Sequence, residues 1–186
     1  MTGWVRRAVQ GALMGVDERY HRRHGLQPVG EVLYAGRARY RGPVREFPDG
    51  TRLAPGDCIG TLHFNNARVV RIEADTATRV AWRFARLMLE SLRILADRAR
   101  RDAGFADLPV YHAVTWLPPH GERIGFITEP FPDGPRRLMI SAYFRLLVWA
   151  FAPAEQTRVA AKPDPTVYWL TRKELQRRFG EVRDDA

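Results

Sequence analysis

The segment Leu53-Ala54-Pro55-Gly56-Asp57-Cys58-Ile59-Gly60-Thr61-Leu62-His63-Phe64-Asn65-Asn66 sets the reading of the whole chain. Ala54-Pro55-Gly56-Asp57 has the chemistry of a tight turn, because proline presets φ and glycine accepts a positive one. A strand over residues 59–64 follows, and Asn65-Asn66 are residues that end strands. Along such a strand Asp57, Ile59, Thr61, His63 and Asn65 share one face, while Cys58, Gly60, Leu62 and Phe64 share the other. Thiol and imidazole on opposite faces cannot form a nucleophilic pair, which sets Cys58 aside. Asp57 and His63 share a face but are separated by about 20 Å of extended chain. Thr61, His63 and Asn65 are close enough to act together, as a general base flanked by a hydroxyl and an amide. They are the candidate catalytic residues, with Asp57 and Asn66 as candidate ligand-binding neighbours. Against this stands a plainer reading, in which His63 is a half-buried ring hydrogen-bonded within the sheet.

Upstream, Phe47-Pro48-Asp49-Gly50-Thr51 is a second turn, and residues 31–41 read as a strand. In that strand Arg37, Arg39 and Arg41 leave one face about 7 Å apart. They form either a solvated outer face or a strip able to grip an anion, and are carried forward as ligand-binding candidates. Residues 4–20 place Trp4, Val5, Ala8, Val9, Ala12, Leu13, Val16 and Tyr20 at helical spacing, ahead of the basic run Arg19-Tyr20-His21-Arg22-Arg23-His24. A helix of this kind suits packing on its own domain, or a membrane surface. The chain thus divides into an N-terminal amphipathic basic helix, residues 1–24, and a single α+β domain, residues 25–186.

Downstream, Asp75 or Thr76 caps a long amphipathic helix reaching Arg101, with Val80, Phe84, Leu87, Met88, Ser91, Leu95 and Ala99 as its core stripe. Residues 110–117 and 123–129 read as two strands of a hairpin joined through Pro118-Pro119-His120-Gly121. Asp133-Gly134-Pro135 opens a helix that is apolar nearly all round, hence buried on most sides, and Pro153 stops it. After the stiff Pro163-Asp164-Pro165 comes a short strand, then Thr171-Arg172-Lys173-Glu174 as a capping box, then a last helix ending at Phe179-Gly180. The order of elements gives an α+β fold: a mixed or antiparallel sheet with one long amphipathic helix and one buried apolar helix.

The totals narrow the function classes. The 186 residues carry a net charge of +9, and all but two of the 30 basic residues are arginines. A charge of that size suits a polyanionic partner, although so lopsided an Arg:Lys ratio is better explained by GC-rich coding. The single cysteine excludes an intramolecular disulfide and a thiolate zinc cluster. The spacing of His63, His112 and His120 is not that of metal ligands, so neither metal nor cofactor is expected. No Gly-rich phosphate loop and no Gly-x-Ser-x-Gly elbow occurs. The longest apolar run is broken by Arg145 and is shorter than the ~20 residues a membrane span needs. A cytoplasmic protein is expected, at most lying on the inner face of the membrane. Nucleic acid is a weak expectation, for no reading motif accompanies the charge.

With these residues in view, the chain resembles the YkoP-like domain, a bacterial family found alone or attached to polysaccharide deacetylase-type envelope proteins. The resemblance rests on Asp49-Gly50, Leu53, Gly56-Asp57, Ile59-Gly60, Leu62-His63 and Asn66. It continues through Thr115, Gly125-Phe126, Pro165, Val167, Trp169, Thr171-Arg172, Leu175 and Phe179-Gly180. It implies a context of cell-envelope glycan or glycolipid metabolism rather than catalytic roles. The stretch from the long helix to Gly125-Phe126 is also similar to the C-terminal half of an acetyl-coenzyme A-dependent N-acetyltransferase. Such enzymes need a glycine loop before that helix, and here no glycine lies between Gly60 and Asp75. The expectation is a domain binding a polar, anionic small molecule or glycan at the His63 strand. The alternatives are an acyl- or glycosyl-type transferase with His63 as base, and a membrane-surface adaptor acting through the N-terminal helix.

Overall fold

The structure, a computed structural model, describes residues 3–69, 72, 77–116, 120–151 and 164–180. Its elements run α1 (Gly3–Arg23), β1 (Gln27–Val29), β2 (Leu33–Arg39), β3 (Arg45–Glu46), β4 (Arg52–Leu53), β5 (Cys58–Phe64) and α2 (Asn66–Val69). They continue α3 (Ala77–Arg101), β6 (Val110–Thr115), β7 (Ile127–Pro130), α4 (Pro135–Phe151), β8 (Thr166–Thr171) and α5 (Arg172–Phe179). This is the expected α+β architecture. The cap expected at Asp75 or Thr76, the stop at Pro153 and part of the Pro163-Asp164-Pro165 stretch lie outside the described residues.

Both turns around the opening segment form as their residues require: Gly50 takes φ +76° and Gly56 φ +94°, conformations that only glycine adopts without strain. They set β5 on course through a six-stranded sheet ordered β1-β2-β5-β6-β8-β7. Every neighbouring pair is antiparallel except β5 and β6. Parallel neighbours need a long crossover, and α3 supplies it.

The side-chain alternation of β5 divides the core. Leu62 on one face packs with Leu33, Ala35, Tyr111 and Leu170 against Leu92, Leu95, Ala96 and Ala99 of α3 and Leu175 of α5. Ile59 on the other face packs with Val110, Val167 and Trp169 under the small β3–β4 hairpin, where Tyr40, Phe47 and Leu53 are buried. A third cluster joins α1 to α4 through Leu13, Phe144, Leu147 and Ala150. Each fully buried Leu, Ile, Val or Phe among them contributes about 1.5–3 kcal/mol.

Four expectations change. The two strands at 110–117 and 123–129 are not a hairpin, because β8 inserts between β6 and β7 and pairs with both; residues 120–124 form a 3-10 turn. The core stripe of α3 includes Leu92 and Ala96, and its buried positions begin only at Ser91. Helix α4 buries Ser141, Phe144, Leu147, Val148 and Ala150 but leaves Leu138, Met139 and Leu146 exposed, so it has an open apolar side. Only half of the capping box forms. Thr171 Oγ1 accepts from the Glu174 amide, while the Glu174 carboxylate turns to Arg177 and Arg178.

Candidate functional site

Past the carboxyl ends of β5 and β6 the core gives way to a cavity of about 520 Å³. Leu62, Phe64, Ala113 and Tyr168 form its floor, Phe84, Met88 and Leu89 of α3 one wall, and Tyr143, Phe144 and Leu147 of α4 another. This explains why no described side chain of α3 before Ser91 is fully buried: Phe84 and Met88 border the cavity while also touching Phe64 and the sheet core. In open sheets with parallel strands, ligands bind outside the carboxyl ends of the strands, where the connectivity changes direction. The volume falls in the ordinary ligand range of about 300–1,000 Å³.

One corner of this apolar space is polar. His63, Asn66 and Tyr143 reach it from β5, α2 and α4, and α1 supplies the groups behind them. Asp17, 6% exposed, accepts hydrogen bonds from the Tyr143 hydroxyl at 2.6 Å and from the Asn66 amide at 2.5 Å. His21, 9% exposed, shares a hydrogen bond of 2.8 Å between its Nε2 and the Nδ1 of His63. The same Nδ1 lies 3.0 Å from the carbonyl oxygen of Phe64. The His21 ring stacks on Tyr34 at 4.1 Å, and Tyr20 lies 5.1 Å from the His63 ring. Tyr34 is the register partner of His63 across β2, so one strand position on each side fixes the histidine pair.

Burial disfavours the charged forms here. It lowers the His21 pKa, with the facing His63 acting in the same sense. It lowers that of His63 as well, against the opposing pull of Asp17. The Tyr143 phenol is raised, by burial and by its bond to Asp17, and stays protonated. At neutral pH the cluster therefore presents two neutral imidazoles, a phenol and an amide. A single proton between His21 and His63 serves both ring nitrogens.

The residues expected to form the site separate. His63 reaches the cavity and Asn66 joins it, whereas Thr61 lies against Gly36 and His112 within the sheet. Asn65 falls just past the end of β5, where alternation no longer holds. Its side chain accepts from the Arg68 amide and donates to the Glu31 carbonyl, closing the turn into α2. Asp57 accepts from the Ala54 amide and serves its own turn. Arg37 pairs with Gly60 and Arg39 with Cys58, which puts both on the face opposite His63. Arg37 is spent on Asp107 and the Gly104 carbonyl, and Arg39 on the Gly56 carbonyl. Arg41 lies beyond the end of β2. The arginine strip and the histidine corner are not one site.

Glycine inside a strand marks a point of close approach, and at Gly60 it is Tyr111 that approaches: a Cβ there would meet its ring. Glu129 receives both Arg45 Nη atoms at 2.8 and 3.0 Å and the Trp169 indole at 2.8 Å. It holds β3 to the sheet. No group of three or more His, Cys, Asp or Glu side chains suited to a metal is gathered among the described residues.

Asp17 and His21 escaped the sequence reading, although a signal for them existed. Leu13, Asp17 and His21 recur every four residues and so lie along one side of α1; two polar residues continuing an apolar stripe mark a buried polar contact.

Residues 6–179 match the model of the YkoP domain. The chain belongs to that family. The YkoP match begins inside α1 and closes on the last residue of α5, so the helix that carries Asp17 and His21 lies within it. No curated protein and no solved structure matches the chain. No helix among the described residues is long and apolar enough to cross a membrane.

Proposed function

We propose that this domain binds an amphiphile, its apolar body in the cavity between α3 and α4 and a hydrogen-bonding group at His63, Asn66 and Tyr143. One observation carries the reading: the 520 Å³ space is walled almost wholly by apolar side chains, with a polar corner at His63, Asn66 and Tyr143 and one arginine, Arg123, elsewhere in its lining. A free sugar or a nucleotide would leave most of its polar atoms unsatisfied there, at a cost of about 1–3 kcal/mol each. A lipid-linked or acyl-bearing molecule would not. Such a ligand fits the cell-envelope glycolipid context suggested by the YkoP resemblance. It also refines the polar anionic ligand expected at the His63 strand into one whose larger part is apolar.

The test is titration with cis-parinaric acid. A saturable fluorescence rise that 1-hexadecanol displaces is expected. Ala85 of α3 lines the cavity and is exposed to it, so Ala85→Trp should fill the space without disturbing the sheet. That variant should lose the signal at an unchanged melting temperature. Equal binding by wild type and Ala85→Trp, or none by wild type, would end the proposal.

A second reading, an acyl- or glycosyl-type transferase with His63 as general base, is supported by the engagement of Nδ1 by His21 and Phe64. This leaves Nε2 as the remaining nitrogen on a neutral ring that lines the cavity. Calorimetric titration with coenzyme A and with nucleotide-sugars separates the two, and no heat with any of them counts against transfer.

A further inference from the structure

Beside the part of the cavity lined by Arg123 and Ile124 lies a second and wholly different space. It is a groove of about 440 Å³ lined by Arg123, Ile124, Arg177, Arg178 and Phe179. Arg123 and Ile124 line both spaces and thus stand between an apolar chamber and a basic groove.

The groove is built rather than incidental. Gly125, at φ +94°, brings the turn after residues 120–124 against α5, and a Cβ there would lie 2.7 Å from Arg178 Nε and 3.0 Å from Glu174 Cγ. Arg178 donates to the Arg123 carbonyl at 2.8 Å and is paired with Glu174, which also takes Arg177 at 2.7 Å. Glu174 remains ionised well below neutrality, because the two guanidiniums hold its carboxyl down to about 2. The neighbouring Glu122 accepts a hydrogen bond from the Thr128 hydroxyl. Among the described residues, no hydrogen bond or ion pair engages the Arg123 guanidinium. Three arginines therefore line the groove, two of them held by Glu174 and the third shared with the lining of the cavity.

We propose that Arg123, Arg177 and Arg178 receive the anionic headgroup of the ligand, a phosphate or carboxylate, while its hydrocarbon runs into the cavity. This rests on the amphiphile reading and specifies its class: an acidic amphiphile, anchored by charge at the α5 end and by hydrogen bonds at the His63 end. Guanidinium forks match phosphate and carboxylate oxygens in pairs. A groove that is dry on one side and basic on the other sorts charged from neutral lipids.

Four probes test it by calorimetry: hexadecyl phosphate, palmitate, 1-hexadecanol and inorganic pyrophosphate. The Arg123→Gln/Arg177→Gln double variant serves for comparison, since Arg178, which holds the turn, is left in place. Wild type should bind hexadecyl phosphate about tenfold or more tightly than 1-hexadecanol, corresponding to a charge-assisted contact. The double variant should lose that advantage, keep its affinity for 1-hexadecanol and keep its melting temperature. Palmitate matching hexadecyl phosphate would assign a carboxylate, and a weaker palmitate a phosphate. Equal affinity for charged and neutral chains in wild type would overturn the headgroup site while leaving the cavity reading intact, as would a double variant that still favours the charged chain. Pyrophosphate binding lost in the double variant, with neither chain bound, would keep the groove and remove the cavity reading. Silence with all four probes would overturn both.

Discussion

At Gly60 the ring of Tyr111 occupies the place where a Cβ would stand. The position of Gly60 on the face opposite His63 was legible, and so was its use as a point of close approach, because glycine inside a strand marks one. The approaching group was not, since Tyr111 reaches it only through the parallel β5–β6 register. Gly60→Ala should cost about 1–3 kcal/mol by overpacking against that ring, read as a lowered denaturant midpoint with an unchanged slope. Asp17 makes the complementary case. Asp17→Ala strands the Tyr143 hydroxyl and the Asn66 amide, and should lower stability by about 1–3 kcal/mol. A wild-type melting temperature for this variant would show that the cluster is not held from α1. His63 was the best single candidate in the sequence. Its partner His21 was hidden because the two lie on separate elements, brought together by the packing of α1 on α4, on Asn66 and on Tyr34 of β2.

At the scale of elements, most of the order along the chain was readable, since turn chemistry and 3.6-residue periodicity are local properties. What failed was pairing. The expected hairpin between residues 110–117 and 123–129 broke because β8, supplied from far along the chain, took the central place. The membrane-surface reading of α1 meets a related difficulty: its polar residues Arg6, Gln10, Asp17 and His21 turn inward, onto Ala150, Tyr143, Asn66 and His63. Deleting residues 1–24 would dismantle the site as well as any surface contact. Helix α3 carries its own forecast. From Ser91 onward it is seated on the sheet, while the part before that borders the cavity. Amides of residues 81–89 should therefore exchange with solvent faster than those of residues 92–99 in the free protein. Uniform protection along the helix would mean that its first half is packed after all.

Over the whole molecule, three half-buried or buried imidazoles make stability depend on pH. His112, beside Trp169 at 4.6 Å, is lowered to about 4 by burial, with Arg136 and Arg45 acting in the same sense against Glu129. His21 and His63 shift in the same direction. Between about 4 and the ordinary 6.5 the unfolded chain binds more protons than the folded one, so stability falls as pH falls through that window. Above the window the contribution is constant. For His112 the loss amounts to about 3 kcal/mol, and His112→Gln should flatten part of the acid limb of a midpoint-against-pH curve. A curve with the same acid limb in the variant would place the titration elsewhere.

The sheet itself is two antiparallel halves. Strand β2 pairs with β5 along its whole length, and β6 does so with β8, yet β5 and β6 are paired only across Gly60–Tyr111 and Thr61–His112. The cavity opens just past that short join, touching Leu62, His63 and Phe64 of β5 on one side and Ala113, Val114 and Thr115 of β6 with Tyr168 of β8 on the other. Whatever fills it acts as a keystone between the halves, so the protein's cohesion becomes a readout of occupancy. A ligand at a hundred times its Kd would add about 2.7 kcal/mol, and the gain should appear first as slowed amide exchange along residues 60–64 and 110–115. A vacant protein, by the same reasoning, comes apart along that join before it comes apart anywhere else in the sheet.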